Sequence, residues 1–189
     1  MSVPKSKRKQ SKFEAAHQLS KLRTEVTNLA AMQFGFDADK YEKSIQRYAE
    51  NHKSAANVDE VVARYRRKKE AFINWFIPEE RKAVIDLVRE ISKEFSVGNS
   101  IFPTRDNPAK IEEYKERRLH MDNAIACCYA LKQEIHYVME TLPVDMNKYC
   151  RFADMIDSEI ALIKGVRKAD NRFLGKKKSN GEEVDSEKG

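Results

Sequence analysis

Apolar residues recur along this chain at alternating intervals of three and four. Ala15, Leu19, Leu22, Val26 and Leu29 form the first such stripe, the mark of a helix with one buried face. Ser11 and Glu14 bracket its start in a capping-box arrangement, and Gly35 stands where a C-cap glycine would end it, just after Phe34. Asp37 is placed to cap a shorter helix carrying Tyr41, Ile45 and Tyr48, which fades in the polar stretch 50–57. A long helical stretch is expected over residues 58–97. There Val58, Val62, Tyr65, Phe72 and Phe76 share a face interrupted by Lys69, and Val84, Leu87, Val88, Ile91 and Phe95 carry the stripe onward. Pro78 has no amide proton, so a kink or short break is expected there, with Glu79 and Glu80 favouring a restarted helix N-terminus. Gly98, Pro103 and Pro108 mark a loop. Met121, Ala124, Cys128, Leu131, Ile135, Val138 and Leu142 then define a helix over 109–142, which Pro143 ends. Asp145 caps a last helix with Met146, Tyr149, Ala153, Ile156, Ile160 and Ile163 on one face.

Seven-residue repeats of this kind pack helices at shallow angles. The expected fold is therefore all-α: an up-and-down four-helix bundle with a short helix inserted over 37–57, and basic tails at both ends. The bundle domain is expected over 11–172, between a disordered basic arm at 1–10 and a disordered charged tail at 173–189. With 6 Gly and 5 Pro in 189 residues, a turn-rich sheet protein is disfavoured. No apolar run reaches the roughly 18 residues a membrane span needs, and the N-terminal residues are charged where a secretory signal would be apolar. Cys127, Cys128 and Cys150 are odd in number and lack the spacing of a disulfide framework, so reduced thiols and a cytoplasmic location are expected.

Charge changes the picture. The net charge is +6, yet residues 1–12 alone carry +5 and residues 164–178 carry +6, while 179–189 carry −3 and the remainder is close to neutral. Cationic ends suit a polyanion such as RNA, which binds with release of counterions; solubility alone is the competing reading. The candidate nucleic-acid contacts are Arg8, Lys9, Lys164, Arg167, Lys168 and Arg172, followed by Arg66 and Arg67 in the basic run 64–69. Lys164, Arg167 and Lys168 also sit where they would offset a helix dipole. Trp75 and Phe76, beside Phe72, read as core or interface before they read as a base-stacking platform. Arg117 and Arg118 have Glu112, Glu113 and Glu116 within reach for pairing along one helix.

Nothing in the chain points to catalysis. A di-iron bundle needs two Glu-x-x-His pairs, and only Glu14 with His17 has that spacing. There is no Cys-x-x-Cys, no phosphate-binding glycine loop and no nucleophile elbow. No catalytic residue, metal or cofactor is expected.

Several segments carry a family likeness: 2–8 with Ser11-Lys12-Phe13-Glu14; Trp75-Phe76-Ile77 with Glu80-Arg81; and 99–103. In the second half they are Glu113-Tyr114 with Glu116-Arg117-Arg118; 142–149; and 159–165 with Arg167-Lys168 and Asp170-Asn171. Together they resemble the helical-bundle accessory proteins encoded beside reverse transcriptases of diversity-generating retroelements. The resemblance implies a four-helix bundle that assembles as a homo-oligomer, a pentamer in the better-known member. It also implies binding to the reverse transcriptase and to template RNA or cDNA, with no catalysis by the accessory protein itself. The chain differs from that member in its greater length, in the insertion at 37–57 and in the concentration of positive charge at its ends. A protein–protein scaffold, or a bundle protein of the kind encoded in ribosomal-RNA intervening sequences, is the alternative.

Overall fold

The computed structural model describes residues 11–103 and 108–171. Five α-helices run in order: α1 (Ser11–Ala31), α2 (Ala38–Asn51), α3 (Val58–Ser100), α4 (Lys110–Thr141) and α5 (Met146–Asp170). Among the described residues there is no strand. The Ser11 side chain of the expected capping box lies outside the described set, as do the arm at 1–10 and the tail at 173–189. Asp37 and Asp145 do cap, accepting from the backbone amides of Lys40 at 3.0 Å and Asn147 at 3.1 Å.

Four of the helices form an up-and-down ring in the order α1, α3, α4, α5, and cross-links fix each neighbour as antiparallel. Arg81 on α3 donates to the Ala30 carbonyl of α1 at 3.1 Å. Glu94 on α3 meets His120 and Asn123 on α4, Lys132 on α4 meets Asp157 on α5, and Arg151 on α5 meets Glu25 on α1. The predicted stripes line the interior: Leu22, Val26, Val84, Val88, Ile91, Met121, Cys128, Leu131, Val138, Ile156 and Ile163 are all essentially inaccessible to solvent.

The chain leaves α1 through an unusual turn. Gln33, Phe34 and Gly35 all have positive φ, at 52°, 59° and 68°, a conformation that costs residues with a Cβ about 1–2 kcal/mol each. Burial offsets it. Phe34 is fully buried, its carbonyl accepts from the Tyr149 hydroxyl at 2.7 Å, and the Asp37 amide donates to the Pro143 carbonyl at 2.9 Å. The turn is thus clamped onto the α4–α5 connection, and it redirects the chain out of the bundle.

From there α2 packs mainly against the first part of α3, and at its start Lys40 donates to the Val144 carbonyl of the α4–α5 connection at 2.9 Å. Phe76 lies edge-on to Tyr137, near the end of α4, with ring centroids 5.4 Å apart. Residues 58–71 of α3 therefore run on past α4 for about 20 Å, paired only with α2. Together they form a two-helix arm. It is held by Tyr48 stacked on Tyr65 at 3.8 Å, and by Arg66 reaching both carboxylate oxygens of Glu42 at 2.5 and 2.8 Å.

Several expectations need correction. Helix α3 passes through Pro78 without a break or restart; Pro78 lies on the exposed side, where water can substitute for the missing hydrogen bond. Gly98 does not mark a loop but sits buried inside α3, and a Cβ there would lie 3.0 Å from the Cβ of His120 and 3.2 Å from the Arg117 carbonyl. Its role is the close approach of two helices. The expected stripe through Val58, Val62, Tyr65 and Phe72 is only partly covered or exposed. Arg117 does not pair along α4. It is fully buried, donating through Nε to Asp170 of α5 at 2.5 Å and through Nη1 to the carbonyls of Gly98 and Ile101 at 2.6 and 2.9 Å. One side chain so ties α4 to α5 and satisfies carbonyls at the end of α3.

Candidate nucleic-acid interface

The ring places the start of α1, the end of α3, the start of α4 and the end of α5 at one end of the bundle. Ser11 and Asn171 therefore share an end, and the basic segments 1–10 and 172–178 are joined to the bundle there. The helical candidates Lys164, Arg167 and Lys168 lie on the last two turns of α5, at the same end. Arg66 and Arg67 lie on the arm, at the other. From Arg67 to Gly98, which is level with Arg117, α3 rises about 47 Å. The candidates thus divide into two groups at opposite ends of the molecule, with Arg8, Lys9 and Arg172 outside the described residues.

At the terminal end the cations are organised around one carboxylate. Asp122 on α4 pairs with Arg167 on α5 and lies 3.9 Å from Arg118. Arg118 also donates to the Tyr114 hydroxyl at 3.1 Å, which itself reaches Asn171 at 2.9 Å. One turn further along, Lys164 donates to the Tyr129 hydroxyl at 3.0 Å, with its ammonium 5.5 Å from the ring centre. Lys168 is exposed. The result is an α4–α5 face carrying Arg118, Lys164, Arg167 and Lys168, with Lys164 over the half-exposed Tyr129. Arg118, Tyr114 and Tyr129 were not among the sequence candidates; the positions of Tyr114, Arg118 and Tyr129 at i, i+4 and i+15 along α4 were the available signal.

On the arm, Arg66 is engaged by Glu42, and the side-chain hydrogen bond between them holds the Glu42 carboxyl below its ordinary range. Arg67, Lys68 and Lys69 are exposed, and Lys69 lies 5.8 Å from the centre of the Tyr65 ring. Over residues 38–71 nine basic side chains face six acidic ones. Where the arm joins the bundle, Phe72 and Trp75 are exposed by 38% and 60%, whereas Phe76 is wholly buried.

The titratable groups of the interior are a separate matter. Glu159 is fully buried in α5, neither carboxyl oxygen has a partner among the described residues, and burial pushes its pKa up to about 8. Burial, and then Glu159, push the Cys128 thiol up to about 12, which leaves it un-ionised and unreactive at neutral pH. Cys127 is half-buried and Cys150 exposed; all three thiols are free. Glu80 on α3 faces Glu134 on α4, and burial together with that neighbouring carboxylate raises its pKa to about 7. Among the described residues, no three His, Cys, Asp or Glu side chains gather as a metal site would require. No helix among them is long and apolar enough to cross a membrane.

The chain matches no protein-family model, no curated protein and no solved structure.

Proposed function

We propose that this chain is a non-catalytic accessory protein of a diversity-generating retroelement, binding the template RNA or its cDNA together with a reverse transcriptase that performs the chemistry. The reading draws on the resemblance of the segments between residues 2 and 172. Its main physical support is that both basic terminal segments are joined to the bundle at the end where Arg118, Lys164, Arg167 and Lys168 cluster. Cations brought to one place raise the local potential more than the same charges scattered. Homo-oligomeric assembly is part of the proposal, because it would multiply that cationic end around an axis.

The test is binding of a labelled single-stranded RNA across a salt series. The full chain should bind with a steep salt dependence, since each phosphate contact contributes about 0.7 to the slope for a single strand. Removing residues 1–10 and 172–189 should weaken binding at least tenfold and flatten the slope. Co-purification with a reverse transcriptase encoded beside it tests the second half of the reading. Unchanged affinity and slope after truncation, with a protein partner retained, would instead favour a scaffold whose tails only confer solubility. The ion pairs of Arg66 with Glu42 and of Arg167 with Asp122 are what favour that second reading.

A further inference from the structure

We propose that Phe72 and Trp75, at the root of the arm, form a stacking platform for unpaired bases of a single-stranded nucleic acid whose phosphates run along Arg64, Arg67 and Lys68. The proposal rests on the nucleic-acid reading above and adds a second contact region, remote from the terminal end. Trp75 is not a core residue left partly uncovered. Phe76, one position on and about 100° around the helix, fills the core, so Trp75 points well away from it. Phe72 links the two, stacked on Phe76 with centroids 5.2 Å apart and tilted against Trp75 at 5.9 Å. The platform is therefore anchored through Phe76, which is itself held against Tyr137.

Charge argues for the occupant. Arg64, Lys68, Phe72 and Trp75 follow one another at spacings of 4, 4 and 3, which places them along one face of α3. Arg67 flanks that face, and Arg64, Arg67 and Lys68 are all exposed. Arg64 makes only a 3.4 Å contact with Glu60, itself exposed. Glu79, one turn beyond Trp75, ends the platform on the bundle side. A basic track leading to exposed aromatic faces is how proteins hold single strands without reading sequence.

Trp75 is the only tryptophan in the chain, so its fluorescence reports on this site alone. The full-length protein is titrated with oligouridine and oligoadenosine of about twelve nucleotides, following tryptophan emission and the anisotropy of the labelled strand together. Emission should be quenched with the same midpoint as the anisotropy. Trp75→Ala should weaken binding about tenfold with little change in salt slope, Trp75→Phe should restore most of the affinity, and Lys68→Ala should lower the slope by about one contact. Circular dichroism verifies that each variant folds. Salt-dependent binding with unchanged emission, or wild-type affinity in Trp75→Ala, overturns the platform and leaves the nucleic-acid reading standing. Absence of any binding overturns both. Emission that shifts with protein concentration alone, with a dimer in sedimentation, assigns the patch to a second copy instead.

Discussion

The two halves of α3 belong to one helix, which Pro78 deprives of a single backbone hydrogen bond, and differ in almost everything else. From Phe76 onward the helix buries Ile77, Val84, Val88, Ile91, Phe95 and Gly98; between residues 58 and 75 no residue is fully buried. Each half lies beside an arginine–carboxylate pair, which joins α3 to α2 in the arm and α4 to α5 in the bundle, where the arginine also donates to carbonyls at the end of α3. In the arm the pair is Arg66 with Glu42, each side chain 40% or more exposed; in the bundle it is Arg117 with Asp170, at 1% and 5%. The same closest distance of 2.5 Å does not mean equal weight. A solvated pair adds little to stability, whereas removing one partner of a buried pair strands the other in a medium that cannot solvate it. The burial of the bundle and the solvation of the arm predict cooperative unfolding of the first and local opening of the second.

The sharpest test of that contrast is Arg117→Ala. It leaves the Asp170 carboxylate buried without its counter-charge and the Gly98 and Ile101 carbonyls without their donor. We expect a loss of about 3–5 kcal/mol and a lower urea midpoint in chemical denaturation. A loss under about 1 kcal/mol would mean that water enters this end of the bundle and that the two pairs are alike. Gly98→Val probes the same junction from α3. Helix propensity favours valine over glycine by only about 0.3–0.5 kcal/mol, and the added atoms would press on the His120 Cβ and the Arg117 carbonyl. Sterics should win, at a cost of about 2–3 kcal/mol. Neutral or stabilising behaviour would break the claim of close approach.

Glu159 provides the next largest effect, with the opposite sign. An unfolded-chain carboxyl titrates near 4.5, and in the fold Glu159 keeps its proton up to about 8. Below 4.5 both states are protonated and nothing is lost. As pH rises from there to about 8 the unfolded chain releases its proton first, so stability falls across that window and levels above it. Glu80 contributes in the same direction, but only up to about 7. The decline between pH 7 and 8.5 therefore belongs mainly to Glu159. Glu159→Leu should abolish it and stabilise the protein by on the order of 2 kcal/mol at pH 8, measured by denaturation at several pH values. A slope that survives the substitution would place the responsible group elsewhere.

These buried polar groups also mark what was legible in the chain. Helix positions, both aspartate caps and the bundle class followed from the spacing of apolar letters. The α4 stripe from Met121 to Leu142 is buried throughout. Reading only apolar letters, however, stops a stripe too soon. Continued backward by four and three from Met121, the α4 seam runs through Arg117 and Tyr114. On α5 the steps Tyr149, Phe152, Ile156, Glu159, Ile163, Val166 and Asp170 keep the same rhythm with two acids in it, and on α3 the rhythm reaches Gly98. Periodicity located these residues, and their chemistry disguised them. The arm was harder to foresee, because whether the first half of α3 has a bundle partner depends on where α4 ends relative to it. No local pattern encodes that. The same ignorance hid the separation of Arg66 and Arg67 from Lys164, Arg167 and Lys168.

The smallest expected effect completes the contrast between the two pairs. Arg66→Ala removes both hydrogen bonds to Glu42, yet each partner regains water and the Tyr48–Tyr65 stack remains. Global melting should move by less than about 2 °C. The change should appear locally instead, as faster amide hydrogen exchange over 41–51 and 61–71, with α4 and α5 protected as before. Were exchange to quicken equally in α4, the arm would be cooperative with the bundle, and the distinction between the halves of α3 would be one of exposure only. Were neither region to respond, the stacked tyrosines alone would hold the arm in place. In that event Tyr65→Ala becomes the substitution that must release it.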